Sequence, residues 1–79
     1  TKALALEVAS RGVTVNAVAP GIIDTGMIEG VFDAETIKRL VPMQRAGRPE
    51  EVAELVGFLA SEAAGYLSGQ VISINGAMI

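Results

Sequence analysis

The sequence has no cysteine and no histidine. Disulfides, thiolate nucleophiles, thiolate metal sites and Ser-His-Asp triads are therefore excluded within these 79 residues. The scattered carboxylates Asp24, Glu29, Asp33 and Glu35 have no His or Cys to join them, so no metal site is expected. The basic residues are few and dispersed and the net charge is -3, which leaves no footprint for nucleic acid. Every apolar run is broken by Gly, Pro or charge well before the roughly 20 residues a membrane span needs. The absence of cysteine fits a reducing, cytoplasmic setting.

What is present is the composition of a large protein's interior. Hydrophobic residues make up 51% and charged residues only 19%, with a mean hydropathy of +0.48. A chain this short buries a modest share of its surface and is marginal on its own. Much of its apolar surface is thus expected to meet partners, whether other parts of a longer chain or other subunits. The sequence opens on Thr1 and runs at once into strong helix formers, Lys2 to Ala9, which reads as the continuation of a longer helix. The chain is expected to be a fragment with no internal domain boundary over 1–79.

That first helix is predicted to end near Ser10, with Gly12 taking the left-handed turn. Val13 to Val18 is β-branched and apolar on both faces, as a central parallel strand is, and Ala19-Pro20-Gly21 should end it. Asp33 is placed to cap a helix over Ala34 to Leu40, closed by Pro42. Ala46-Gly47-Arg48 reads as a turn into a helix with Pro49 at its first position and Glu50 and Glu51 at its positive end. Val52, Leu55, Val56 and Leu59 follow helical spacing and should form one buried stripe. Gln70 to Ile74 is a second short strand ending at Asn75-Gly76. Helix, strand, helical crossover, strand is the pattern of parallel strands. Two such strands cannot stand alone, so the fold class is α/β, a piece of a doubly wound parallel-sheet domain.

In open α/β sheets ligands lie beyond the carboxyl ends of the strands, here Pro20 to Thr25. Gly21 lets backbone pass close to a ligand, free peptide groups at Ile22 and Ile23 can pair with an amide, and the Thr25 hydroxyl can donate or accept. The alternative is an ordinary strand-to-loop turn with a cap at Asp24 or Thr25.

Five blocks, in order and covering the whole chain, resemble the short-chain dehydrogenases/reductases. Asn16 to Thr25 resembles the family's N-x-[IV]-x-P-G-x-[IV]-x-T segment, and Arg45 to Ala53 its R-x-G-x-P-E-E-[VI]-A block. Thr1 to Glu7 resembles the later part of the helix that carries the family's catalytic Tyr and Lys upstream. Phe58 to Glu62 with Tyr66 to Gln70, and Ile74 to Gly76, resemble the remaining blocks. The run from Val8 to Gly21 is most like the 3-oxoacyl-acyl-carrier-protein reductases of that family.

The resemblance implies the C-terminal part of a Rossmann-type domain that reduces a 3-oxoacyl thioester to the 3-hydroxyacyl form in fatty acid biosynthesis. NADPH (NADP rather than NAD) is the cofactor implied. It also implies that the backbone of Ile23 pairs with the nicotinamide carboxamide, that Thr25 holds the carboxamide or a nearby phosphate, and that Pro20 and Gly21 shape the cofactor wall. Met27, Ile28, Val31 and Phe32 fall in the family's mobile substrate loop, where they could cover an acyl chain; ordinary core or subunit contact is the other reading. A homotetramer built through the C-terminal helix and last strand is implied as well, with Val52 to Leu59 and Val71 to Ile74 as its surface. The catalytic Tyr-x-x-x-Lys pair is absent: the only tyrosine, Tyr66, is followed four residues later by Gln70. Tyr66 is expected to be a packing or interface residue, and the 79-residue chain alone to be inactive. Relatives acting on other alcohols or sugars, or a non-catalytic docking module, are the alternatives. Ala77 stands where the family usually has a second glycine.

Overall fold

The computed structural model describes residues 1–26 and 32–78. Helix α1, Lys2–Val8, tightens into a 3-10 turn over Ala9–Arg11. Gly12 ends it at φ 74°, its N–H donating to the Ala9 carbonyl at 3.0 Å. This is the left-handed stop the sequence predicts.

Strand β1 differs from expectation: it spans Ala17–Pro20, not Val13–Val18. Residues 13–16 run beside 67–70, but polar side chains stand in for much of the ladder. The Val15 N–H donates to Ser68 Oγ (3.0 Å), Asn16 Nδ2 donates to the Leu67 carbonyl (3.0 Å), and Asn16 Oδ1 accepts the Gln70 N–H (3.1 Å). Pro20, expected outside the strand, closes it opposite Ile74. The pairing explains why proline is tolerated. Ala17 N–H donates to Gln70 O and Gly21 N–H to Ile74 O, so by the two-residue period of a strand the nitrogens of Val18 and Pro20 face the other edge. No bond to β2 is lost.

Strand β2, Val71–Ile74, lies parallel to β1 in the register Ala17↔Val71 to Pro20↔Ile74. The crossover carries α2, Ala34–Leu40, and α3, Pro49–Leu59. Asp33 caps α2 as predicted, its Oδ1 accepting the Thr36 N–H at 2.7 Å. Pro49 opens α3, where its missing N–H costs nothing. The architecture is α/β with two parallel strands.

The core is small: among the described residues only Ala5, Ile37, Val41 and Ala64 are buried apolar side chains. The stripe on α3 is not buried as expected. Val52, Leu55 and Leu59 are half-buried, and Val56 is exposed at 49%. Tyr66 does not pack within the chain either, being fully exposed. Both follow from a shortage of covering chain. The accessible surface is 5742 Å², against about 4500 Å² for a compact protein of this mass, and the molecule is elongated at 48 × 21 × 19 Å. A groove of about 440 Å³ separates α3 from β1, lined by Thr14, Asn16, Val18, Val56, Leu59 and Ala60. Among the described residues no helix is long and apolar enough to cross a membrane.

Candidate functional site

The strands deliver two loop segments to their carboxyl ends, 21–26 after β1 and 75–78 after β2. They approach closely at Gly21: a Cβ there would lie 2.7 Å from Asn75 Cβ and 3.0 Å from Asn75 Cα. The close backbone approach for which the sequence reserves Gly21 is thus to the chain itself. Asn75 also folds the tail, its Nδ2 donating to Met78 O (2.9 Å) and its Oδ1 accepting the Ala77 N–H (3.1 Å). Ala77 sits at φ 71°, a left-handed conformation that glycine adopts freely and alanine does not.

The central feature was not foreseen from the sequence. Gly47, expected in a plain turn, forms an isolated parallel bridge with Ile23. Its N–H donates to the Ile22 carbonyl at 2.9 Å, and its carbonyl accepts the Asp24 N–H at 2.8 Å. Because each peptide is planar and trans, binding the Ile22 C=O turns the Ile23 N–H the opposite way. Binding the Asp24 N–H does the same to the Ile23 C=O. Among the described residues, neither Ile23 backbone group has a hydrogen-bond partner. One donor and one acceptor, side by side, therefore face away from Gly47.

A charged clasp surrounds Gly47. Arg45 grips Glu51 with both nitrogens, at 2.7 and 3.0 Å, the bidentate geometry that makes such pairs strong. Glu51 Oε1 also accepts the Arg48 backbone N–H at 2.9 Å. That is half of a capping box, since arginine offers no side-chain acceptor in return. Arg45 first, and then the Arg48 N–H, lower the Glu51 carboxyl from its usual range to about 2. The clasp is consequently complete at neutral pH and lost only as the pH falls through that value. The signal for this arrangement lay in the Arg45 to Glu51 block, whose acidic residues read locally as helix-start charges.

Of the residues singled out in the sequence, Pro20, Gly21 and Ile23 come together at the ends of the strands. Thr25 follows on an exposed turn in which Asp24 Oδ1 accepts the Gly26 N–H at 3.0 Å. The Thr25 hydroxyl has no partner among the described residues. Phe32 is half-buried and lines a groove of about 320 Å³ with Asp24, Ala34, Ile37 and Arg45. Met27, Ile28 and Val31 lie outside the described residues. A second groove, about 330 Å³, runs between Ile22, Ile23, Met43 and the Ser73 to Ala77 tail.

Two parallel strands, with backbone groups beyond their carboxyl ends that are unpaired among the described residues, define the class: an α/β protein of the kind in which ligands commonly bind past the strand ends. Residues 1–78 match the profile of a family described as enoyl-(acyl carrier protein) reductase. The chain belongs to the short-chain dehydrogenase/reductase family. It is 50% identical over 80 residues to the 3-oxoacyl-(acyl-carrier-protein) reductase FabG of Pseudomonas aeruginosa, covering 99% of this chain and 32% of that protein. It is 52% identical over 80 residues to the 3-oxoacyl-(acyl-carrier-protein) reductase of Synechocystis, covering 100% and 32%. Nodulation protein G of Azospirillum brasilense is 50% identical over 80 residues, covering 99% and 32%. The chain thus spans about a third of the length of these relatives.

Proposed function

We propose that residues 1–79 form the C-terminal part of a doubly wound Rossmann-type domain, and that the complete protein reduces 3-oxoacyl groups on acyl carrier protein with NADPH. The observation that supports this best is the free donor–acceptor pair of Ile23. A carboxamide presents one carbonyl and one NH₂, and the N–H and C=O of Ile23 complement them. The residues present therefore fit a nicotinamide. When bound, that ring supplies the hydride for the ketone carbon.

The residues of this chain bind and orient. The Ile23 N–H and C=O would hold the carboxamide and so orient the ring when it is bound. The Thr25 hydroxyl, exposed and without a partner among the described residues, holds the carboxamide or a neighbouring phosphate. Pro20 and Gly21 form the adjoining wall. Phe32, with Met27, Ile28 and Val31, covers the acyl chain. No side chain in 1–79 donates the proton to the developing alkoxide; in this reading a Tyr-Lys pair elsewhere in the protein does so, and 1–79 alone is inactive. The relatives' names, which give acyl-carrier-protein reductases, support a role in fatty acid biosynthesis; a cytoplasmic setting and a homotetramer joined through the half-buried and exposed apolar side chains of α3 and β2 complete the proposal. The family description gives enoyl groups and the relatives' names 3-oxoacyl groups; the ketone substrate follows the relatives, which match at about 50% identity.

Thr25→Ala in the complete protein tests the site. NADPH affinity, measured by fluorescence titration, should fall about fivefold, the scale of one hydrogen bond of about 1 kcal/mol. An unchanged affinity rejects the role given to Thr25.

A further inference from the structure

The peptides on either side of Ile23 are held by a single residue, Gly47, which has no side chain and lies in no regular element. Something must therefore hold Gly47. On one side stands Arg45, its guanidinium locked to both Glu51 oxygens; on the other stands Arg48, its backbone N–H bound to Glu51 Oε1. Both anchors of the Arg45 to Arg48 segment thus converge on one carboxylate, and that carboxylate is fixed in the first turn of α3. The Glu51 side chain is only 28% exposed, whereas Arg45 is 49% exposed. The hinge point is the better sheltered member of the pair.

We propose that Glu51 is a positioning residue for the cofactor segment: through Arg45 and Arg48 it holds Gly47 against Ile22 and Asp24, and so aims the Ile23 N–H and C=O. The inference rests on the nicotinamide reading of Ile23 given above. It assigns to Glu51 a task distinct from capping α3. A cap alone would affect the start of the helix. A positioning residue affects peptides more than twenty residues earlier in the chain, by way of the Gly47 bridge.

The two tasks separate experimentally. In the complete protein, Glu51→Ala removes both anchors, whereas Arg45→Met removes one and leaves the Glu51–Arg48 cap intact. Hydrogen exchange at the Gly47 and Asp24 amides reports the bridge directly, and fluorescence titration reports NADPH affinity. Both variants should speed exchange at the two amides and raise the NADPH dissociation constant about fivefold, the scale of one net hydrogen bond. Glu50→Gln, one residue away, should change neither. Should Glu51→Ala fail to fold, Arg45→Met decides the matter. Unchanged exchange in Arg45→Met, or faster exchange at unaltered NADPH affinity, overturns the proposal. Wild-type protein that binds no NADPH overturns the nicotinamide reading and this inference together. The exchange rates then still show whether Glu51 holds the bridge.

Discussion

The two ends of this molecule are built on opposite principles. Around Gly47 and Gly76 the backbone is stitched to itself: Gly47 to Ile22 and Asp24, Met43 N–H to the Gly76 carbonyl, Gly21 to Ile74. Along α1, α3 and the outer side of β1 apolar groups stand open, with Leu4 51%, Val56 49% and Phe58 45% exposed. The stitched corner gains its order from hydrogen bonds and close approaches within the chain. The open face can gain stability only by hydrophobic burial against something else, at roughly 25 cal/mol per Å². A corner held by its own hydrogen bonds suits the proposed site, which presents fixed peptide groups, and the open face suits the proposed assembly.

The sharpest way to break this contrast is Gly76→Val. A Cβ at Gly76 would lie 2.6 Å from Val41 Cγ1 and 3.4 Å from Met43 Cβ, at a φ of 61°. Overpacking and a left-handed β-branched residue together should cost about 3 kcal/mol, read by urea denaturation of the complete protein. A loss below about 1 kcal/mol would mean that the corner is loose. On the open face, Leu4→Ala should cost about 2 kcal/mol in the complete protein if, as proposed, further parts of a Rossmann-type domain cover it. A cost within about 0.5 kcal/mol would show Leu4 to be true surface and erase the distinction. The smallest effect is expected at Ala77→Gly. Relief of the left-handed alanine, about 1 kcal/mol, is partly offset by the added freedom of glycine in the unfolded chain, for a net gain of about 0.5 kcal/mol. A thermal melt of the complete protein checks the sign; a lower midpoint contradicts it.

What the sequence made legible was local chemistry. Asp33 as a cap, Gly12 as a stop and Pro49 as a helix opener rest on signals within a few residues of one another, the parallel crossover on the order of such elements, and the structure has them where expected. The misreadings arose where distant residues intervene. Val13 to Asn16 has the β-branched look of a strand, yet Ser68 and the side chain of Asn16 take over the bonding there. The stripe on α3 has the spacing of a core helix but lacks the chain to bury it. At the site, Ile23 could be singled out because its segment carries a distinctive motif. Gly47 could not, since nothing in its neighbourhood shows that it will bridge to a peptide far earlier in the chain. The role of Glu51 stayed hidden behind the adequate local explanation that acidic residues begin helices.

Pro20 leaves one further mark. Its nitrogen faces the outer edge of β1, next along that edge after Val18. A strand zipped onto that edge finds a donor at Val18 and then meets an imino acid with nothing to give. Any strand paired to that edge would thus lose one ladder bond immediately before Gly21, where the chain leaves the sheet for the Ile23 turn.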